Sequence, residues 1–227
     1  MILKLLRFDG ELSIGPEKVA TLEIENRHVF SRVASSLISE RGEEAVEPYA
    51  IWDDAGKKKT AKGAFLVLSS LPELPLNDRT LLSKLYAKLA GSIRDDIELS
   101  DKIAGTTAEL KNYFLDENIE LWGQYEFGSA WDVAQVLKSF SFRPAADDDQ
   151  SLLERMVKLF GLCADVNLSK PILLINAKSF FEPEELSEVA SQAFFYGCPL
   201  MMLESWADDS THDWEQKTCI DQWFFEK

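Results

Sequence analysis

Four lysines fall within six residues, Lys57, Lys58, Lys59 and Lys62, directly after the turn residues Asp53-Asp54-Ala55-Gly56. It is the only dense basic cluster in a chain of formal net charge −15. Such a cluster is either a solvated loop tip or a set of phosphate contacts. Alone, four ammonium groups hold a duplex weakly. Repeated by symmetry around a ring, they form a girdle of positive charge, and an acidic exterior then confines a polyanion to the hole. The overall charge argues against indiscriminate nucleic-acid binding but does not forbid this arrangement, because charges are screened beyond about 8 Å at physiological salt.

A second cluster is acidic: Asp116, Glu117, Glu120 and Glu126. Carboxylates gathered at a helix end oppose the macrodipole and one another. They are either simply solvated or neutralised by a cation. With no His or Cys among them, that cation would be hard, calcium or magnesium, although the spacing matches no EF-hand loop.

Chemistry of other kinds finds few residues. The two histidines, His28 and His212, lie near no candidate nucleophile. No nucleophile elbow, zinc-binding H-E-x-x-H or dinucleotide turn is present. Gly10–Lys18 superficially resembles a phosphate loop, with Gly10, Gly15 and Lys18. However, Lys18 does not directly follow the second glycine, and Pro16 removes a backbone donor from the would-be cradle. A hairpin connection is the alternative. The residues point to a non-catalytic protein, with a nucleotide hydrolase carrying a degenerate loop at Gly10–Lys18 as the competing reading. Three cysteines (Cys163, Cys198 and Cys219) show no metal spacing and read as reduced core thiols.

The elements that must position these groups are organised around Lys170–Asn176, a short apolar run that reads as a strand covered on both faces. Glu182-Pro-Glu-Glu starts a helix with Leu186, Val189, Ala190, Ala193 and Phe194 on one stripe, and Gly197 stops it. Pro199–Glu204 is a second strand, parallel to the first. Ala64–Ser69 belongs beside them. Further strands are expected at Met1–Phe8, Val19–Glu25, Pro48–Trp52 and Cys219–Phe225, and a helix at Asn26–Glu40 with Asn26 as its cap. Leu71–Leu76, with two prolines, marks a boundary. Beyond it, Asn77 or Asp78 opens a helix with Leu82, Leu85, Leu89, Ile93 and Ile97 on one face. A second helix is expected over about 100–122, and a third after a Ser129 cap, with Trp131, Val133, Val136, Leu137 and Phe140. Ser151–Cys163 is amphipathic. The fold class is α/β: a head domain (1–76 and 142–227) with a mixed, largely parallel sheet, resembling a nucleotide hydrolase without a phosphate loop, plus an inserted helical leg domain (77–141). No run has the roughly 18 apolar residues of a membrane span, and Met1–Phe8 lacks signal-peptide features. We read the protein as cytoplasmic and without membrane contact.

The ordered set of segments resembles the Csn-two family, the CRISPR-associated spacer-acquisition proteins of type II-A systems. The resemblance rests on Val29–Val33, Leu81–Leu85, Leu115–Leu121 and Leu137–Phe140. It continues in Lys170–Asn176 with Phe180 and Glu184-Glu185-Leu186, then in Leu200–Glu204. It covers most of the chain, less well in the first strands. It implies a homotetrameric ring that binds ends of double-stranded DNA independently of sequence and is ordered by calcium. It further implies no catalytic activity, and work alongside the CRISPR integrase complex and the guide-dependent nuclease. Carried over by position, Glu117, Glu120 and Glu126 fall where calcium ligands are expected, and Lys57, Lys58, Lys59 and Lys62 fall in a lysine-rich DNA-binding loop. Trp122–Trp131 is longer than the family pattern.

Overall fold

A computed structural model describes residues 1–39, 41–116, 126–127, 132–145, 149–210 and 212–223. The chain divides into two compact units, Met1–Leu76 with Ala146–Lys227, and Asn77–Ala145.

The first unit contains two sheets. β3 (Val19–Ile24), β6 (Leu66–Leu68), β7 (Ile172–Ile175), β8 (Leu200–Glu204) and β9 (Glu215–Ile220) form a five-stranded, all-parallel sheet in the order β6-β7-β8-β3-β9. The antiparallel strands are segregated into a four-stranded sheet of order β2-β1-β4-β5, from β1 (Ile2–Leu5), β2 (Leu12–Ser13), β4 (Tyr49–Trp52) and β5 (Lys58–Lys59). All four residues of β7 and all five of β8 are buried, as strands covered on both faces require. On one face, Ala20, Leu22, Leu173, Ile175, Met201 and Leu203 join the antiparallel sheet and α1 (Arg27–Ile38) in one core. The alternate residues Ile172, Leu174, Leu200 and Met202 are buried too. This second face is the place for α6 (Leu152–Asp165) and α7 (Pro183–Phe195), whose buried stripes include Met156, Phe160, Leu186 and Val189.

The helix starts follow local chemistry. Asn26 caps α1 by accepting from the backbone N–H groups of His28 and Val29, and Ser151 with Glu154 forms a capping box on α6. Gly197, at φ +65°, ends the chain segment after α7 in a conformation that costs glycine little.

The Asn77–Ala145 unit holds α3 (Arg79–Asp95), α4 (Ile97–Asp116) and α5 (Val133–Ser139). Asp78 caps α3. The Tyr86 hydroxyl donates to the carbonyl of Phe142 at 2.7 Å, tying α3 to the segment after α5.

Several expectations need correction. Ile38 and Ile97, expected on buried faces, are 52% and 75% exposed. Ile97 opens α4 because the chain breaks at Asp96. Phe140 is exposed as well, and α5 is capped by Asp132 rather than Ser129. Ala64 closes a short helix, α2 (Ala61–Ala64), so β6 begins only at Leu66. The last strand is Glu215–Ile220, earlier than its aromatic-rich tail suggested. Polar residues at alternating positions of β9 face the ion-pair network described below, which hid the strand from a search for apolar runs.

Candidate functional site

The lysine cluster sits on the β4–β5 hairpin and the start of α2. The turn is set by Asp53, whose Oδ1 accepts from the backbone N–H of Ala55 (3.1 Å) and Lys57 (2.8 Å). The Lys57 hydrogen bond is the main reason the Asp53 carboxyl lies below its ordinary range. Gly56, at φ +73°, completes the turn. Register pairs Lys58 with Trp52 and Lys59 with Ile51, so their side chains leave opposite faces of the ribbon. Lys58 pairs with Glu43, and Lys59 with Asp53 at 3.2 Å. Lys57 is exposed, and no carboxylate lies within ion-pairing distance of it among the described residues. Lys62 is exposed on α2, and its carbonyl accepts from Lys170 Nζ at 2.8 Å. The hairpin thus brings Lys57, Lys58 and Lys59 together and places Lys62 on the next element. Lys170 joins them from the start of the strand most central to the sequence reading.

Of the carboxylates expected to hold a metal, Glu117 and Glu120 lie outside the described residues. Glu126 is exposed. Among the described residues no three His, Cys, Asp or Glu side chains are gathered as a metal site. Gly10–Lys18 is no phosphate cradle: Leu12–Ser13 pairs antiparallel with β1 as a hairpin, whereas a phosphate loop joins a parallel strand to a helix. His28 is an exposed residue in the first turn of α1.

A third constellation went unnoticed in the sequence. β8 and β9 run parallel with β3 between them, so residues 205–214 must return from the carboxyl edge of the sheet to its amino edge. Ionic groups collect where they do so. Lys178 Nζ lies 2.5 Å from Glu23 Oε1 and also pairs with Asp208. Lys217 Nζ lies 2.7 Å from Asp208, 3.3 Å from Glu23 and 3.6 Å from Glu215. Thr21 donates its hydroxyl to Glu215 at 3.0 Å. Burial disfavours charge on Asp208, but hydrogen bonds from Lys178, Lys217 and Ser210 outweigh it and hold the carboxyl well below its usual range. Burial likewise works against the Lys217 ammonium, and Asp208, Glu215 and Glu23 more than offset it, so its pKa is raised. Such a lysine is a poor proton acceptor or nucleophile, since both roles need a depressed pKa.

Glu204, fully buried at the end of β8, is different. Burial pushes its pKa up to about 8, against hydrogen bonds from the Lys178 and Ala177 amides. Burial thus favours its protonated form near neutrality, and its Oε2 has no hydrogen-bond partner among the described groups. The signal for this constellation was the alternation Thr21, Glu23 along β3 matched by Glu215, Lys217 along β9. Only the strand pairing reveals that the two alternations share a face.

Against solved structures, the chain is similar to one described as "Crystal structure of Stu0660 of Streptococcus thermophilus". The TM-score is 0.56 at 14% identity, with 97% of this chain and 74% of that chain covered. At that identity the likeness concerns the fold. No curated protein sequence matches. The family model described as CRISPR-associated protein (Cas_Csn2) matches residues 44–223. That span takes in the lysine hairpin, the helical unit and four of the five parallel strands, so the chain belongs to the CRISPR-associated Cas_Csn2 family.

Proposed function

We propose that the protein is a non-catalytic ring that binds ends of double-stranded DNA and supports acquisition of new spacers in type II-A CRISPR–Cas immunity. The observation carrying the proposal is the β4–β5 hairpin. On a strongly acidic chain it presents Lys57, Lys58 and Lys59 on a rigid turn, with Lys62 adjacent and Lys170 held against it. Four subunits would multiply this one loop into a positive collar around enclosed DNA, with counterion release supplying affinity. Phosphate contacts of this kind carry no base readout, which suits a sequence-independent ligand.

Assembly as a homotetramer is supported by the Asn77–Ala145 unit. α4 leaves Leu110, Tyr113 and Phe114 at 54%, 69% and 56% exposure, an apolar face of the sort that another subunit covers. Calcium is the proposed cofactor. The donor set Glu117, Glu120 and Glu126 is all oxygen and suits a hard cation, whose binding would neutralise carboxylates that otherwise repel one another. The absence of catalysis is supported by the hairpin geometry of Gly10–Lys18 and by the raised pKa of Lys217. The integrase complex and guide-dependent nuclease are the proposed working partners, and the cytoplasm the proposed location. No helix among the described residues is long and apolar enough to cross a membrane.

The test compares the full-length protein on linear and on covalently closed circular duplex of the same sequence, with calcium supplied. Binding is expected on the linear form only. Equal affinity for both forms would rule out threading over an end.

A further inference from the structure

A cleft of about 400 Å³ opens beside the ion-pair network, between the start of α7 and the chain returning from β8 to β9. Its walls are aromatic. Phe180 and Trp206, 46% and 44% exposed, both line it, and His212 stacks on Trp214 with ring centroids 5.0 Å apart and planes 11° from parallel. Leu186 lies among them, and Glu182 and Asp208 contribute carboxylates.

The charge around this cleft is negative. Lys178 lies with Nζ 5.6 Å from the centre of the Trp206 ring, but it is neutralised by Glu23 and Asp208. In the network, two ammonium groups face the three carboxylates Glu23, Asp208 and Glu215. Glu184, Asp209 and Asp213 are exposed, each one residue along the chain from a lining residue. Aromatic faces with carboxylates beside them attract a cation, by the ring quadrupole and by Coulomb attraction together. Phosphate is repelled by the same groups. Among cationic side chains, the planar guanidinium both stacks on rings and matches a carboxylate with two parallel donors.

We propose that this cleft is a docking site for an arginine-bearing segment of another protein. The guanidinium lies against Trp206 within reach of Glu182, and a neighbouring apolar residue packs on Phe180 and Leu186. The site is distinct from the lysine hairpin and does not depend on DNA binding: an acidic aromatic cleft is a surface that DNA avoids. The partner it fits carries an exposed basic segment, as proteins that handle nucleic acid commonly do.

The test uses the full chain with its six tryptophans replaced by fluorotryptophan and followed by fluorine NMR. Trp206, Trp214, Trp52 and Trp223 are assigned by single Trp→Phe substitutions. The probe is acetyl-Gly-Arg-Leu-Gly-amide, and the comparison is the same peptide with citrulline, which keeps the shape and loses the charge. Saturable shifts are expected at Trp206 and Trp214 and not at Trp52 or Trp223, with the citrulline peptide at least about tenfold weaker. Phe180→Ala, at a half-exposed position, should weaken the arginine peptide by roughly threefold to tenfold, read at Trp214. Equal affinity for the two peptides would overturn the proposal. So would shifts spread over all four tryptophans, absence of saturation by ~20 mM peptide, unchanged affinity in Phe180→Ala, or inorganic phosphate shifting Trp206 as the arginine peptide does.

Discussion

Lys178 and Glu23 meet at 2.5 Å with 5% and 1% of their side chains exposed, a sealed ion pair joining the turn after β7 to the carboxyl end of β3. Removing one partner of such a pair strands the other charge in a poor solvent. Lys178→Met should destabilise the protein by ~3 kcal/mol, less than an isolated pair would lose, because Lys217 also reaches Glu23. Urea unfolding monitored by tryptophan fluorescence measures it. A loss well under ~1 kcal/mol would place this pair with ordinary surface bridges.

Glu204 gives the protein a pH dependence of definite sign. Its folded-state pKa, about 8, lies above the ordinary value of 4.5. Between those two values the folded state keeps a proton that the unfolded state has released. Stability therefore falls as pH rises through this window, by up to ~1.4 kcal/mol per pH unit for this one group. Glu204→Gln, neutral at every pH, should remove that slope and be more stable than the parent above pH 8. Urea midpoints of the two proteins across this range should diverge steadily. Asp208 acts in the opposite sense. Its depressed pKa supplies stability present above the ordinary aspartate range and lost as pH falls from there through the lower folded-state value, so Asp208→Asn should be most damaging near neutrality.

The hairpin ion pairs make a prediction about DNA affinity. Lys57→Ala, Lys58→Ala and Lys59→Ala combined should weaken duplex binding equally for all sequences and flatten the salt dependence by up to about three contacts' worth. Glu43→Gln should act in reverse. It releases Lys58 from its carboxylate, strengthening DNA binding a few-fold while changing stability by less than ~1 kcal/mol. Titration of a fluorescent linear duplex at two salt concentrations reads both.

Calcium is expected to set the assembly. Light scattering should give a tetrameric mass with calcium and a smaller one with a chelator. Glu117→Gln, Glu120→Gln and Glu126→Gln together should make the mass insensitive to the chelator. A mass unaffected by either treatment would remove calcium from the assembly.

Legibility in the sequence followed burial. β7, apolar throughout, β8, apolar up to its final Glu204, and α7, with its Glu182-Pro183 start, could be placed to within two residues, and the parallel pairing of the two strands followed from the helix between them. The pairing of β6 with β7 was equally readable. What could not be read was the polar pairing fixed by residues distant in sequence. β9 mixes Glu, Gln, Lys and Thr, and these read as loop until β3 is set beside it. The raised pKa of Glu204 comes from burial, which only the assembled fold supplies, with a smaller push from the Glu23 charge on another strand and against the opposing pull of Lys178. The cleft at Trp206 needs the return path of residues 205–214, which topology rather than composition determines. The lysine run was visible at once, yet the pairing of Lys58 and Lys59 rests on Glu43 and Asp53, on separate turns.

The placement of β3 governs when the molecule can form. This strand, Val19–Ile24, is hydrogen-bonded on one side to residues 201–204 and on the other to residues 215–220. During synthesis it waits, both edges unpaired, until residues 201–204 and then 215–220 have been made. Such distant pairings fold slowly and leave sticky edges exposed meanwhile. The β8 side of this strand thus closes only after translation of residue 204 and its β9 side only after residue 220, and a ribosome stalled between those points holds a chain with one seam open.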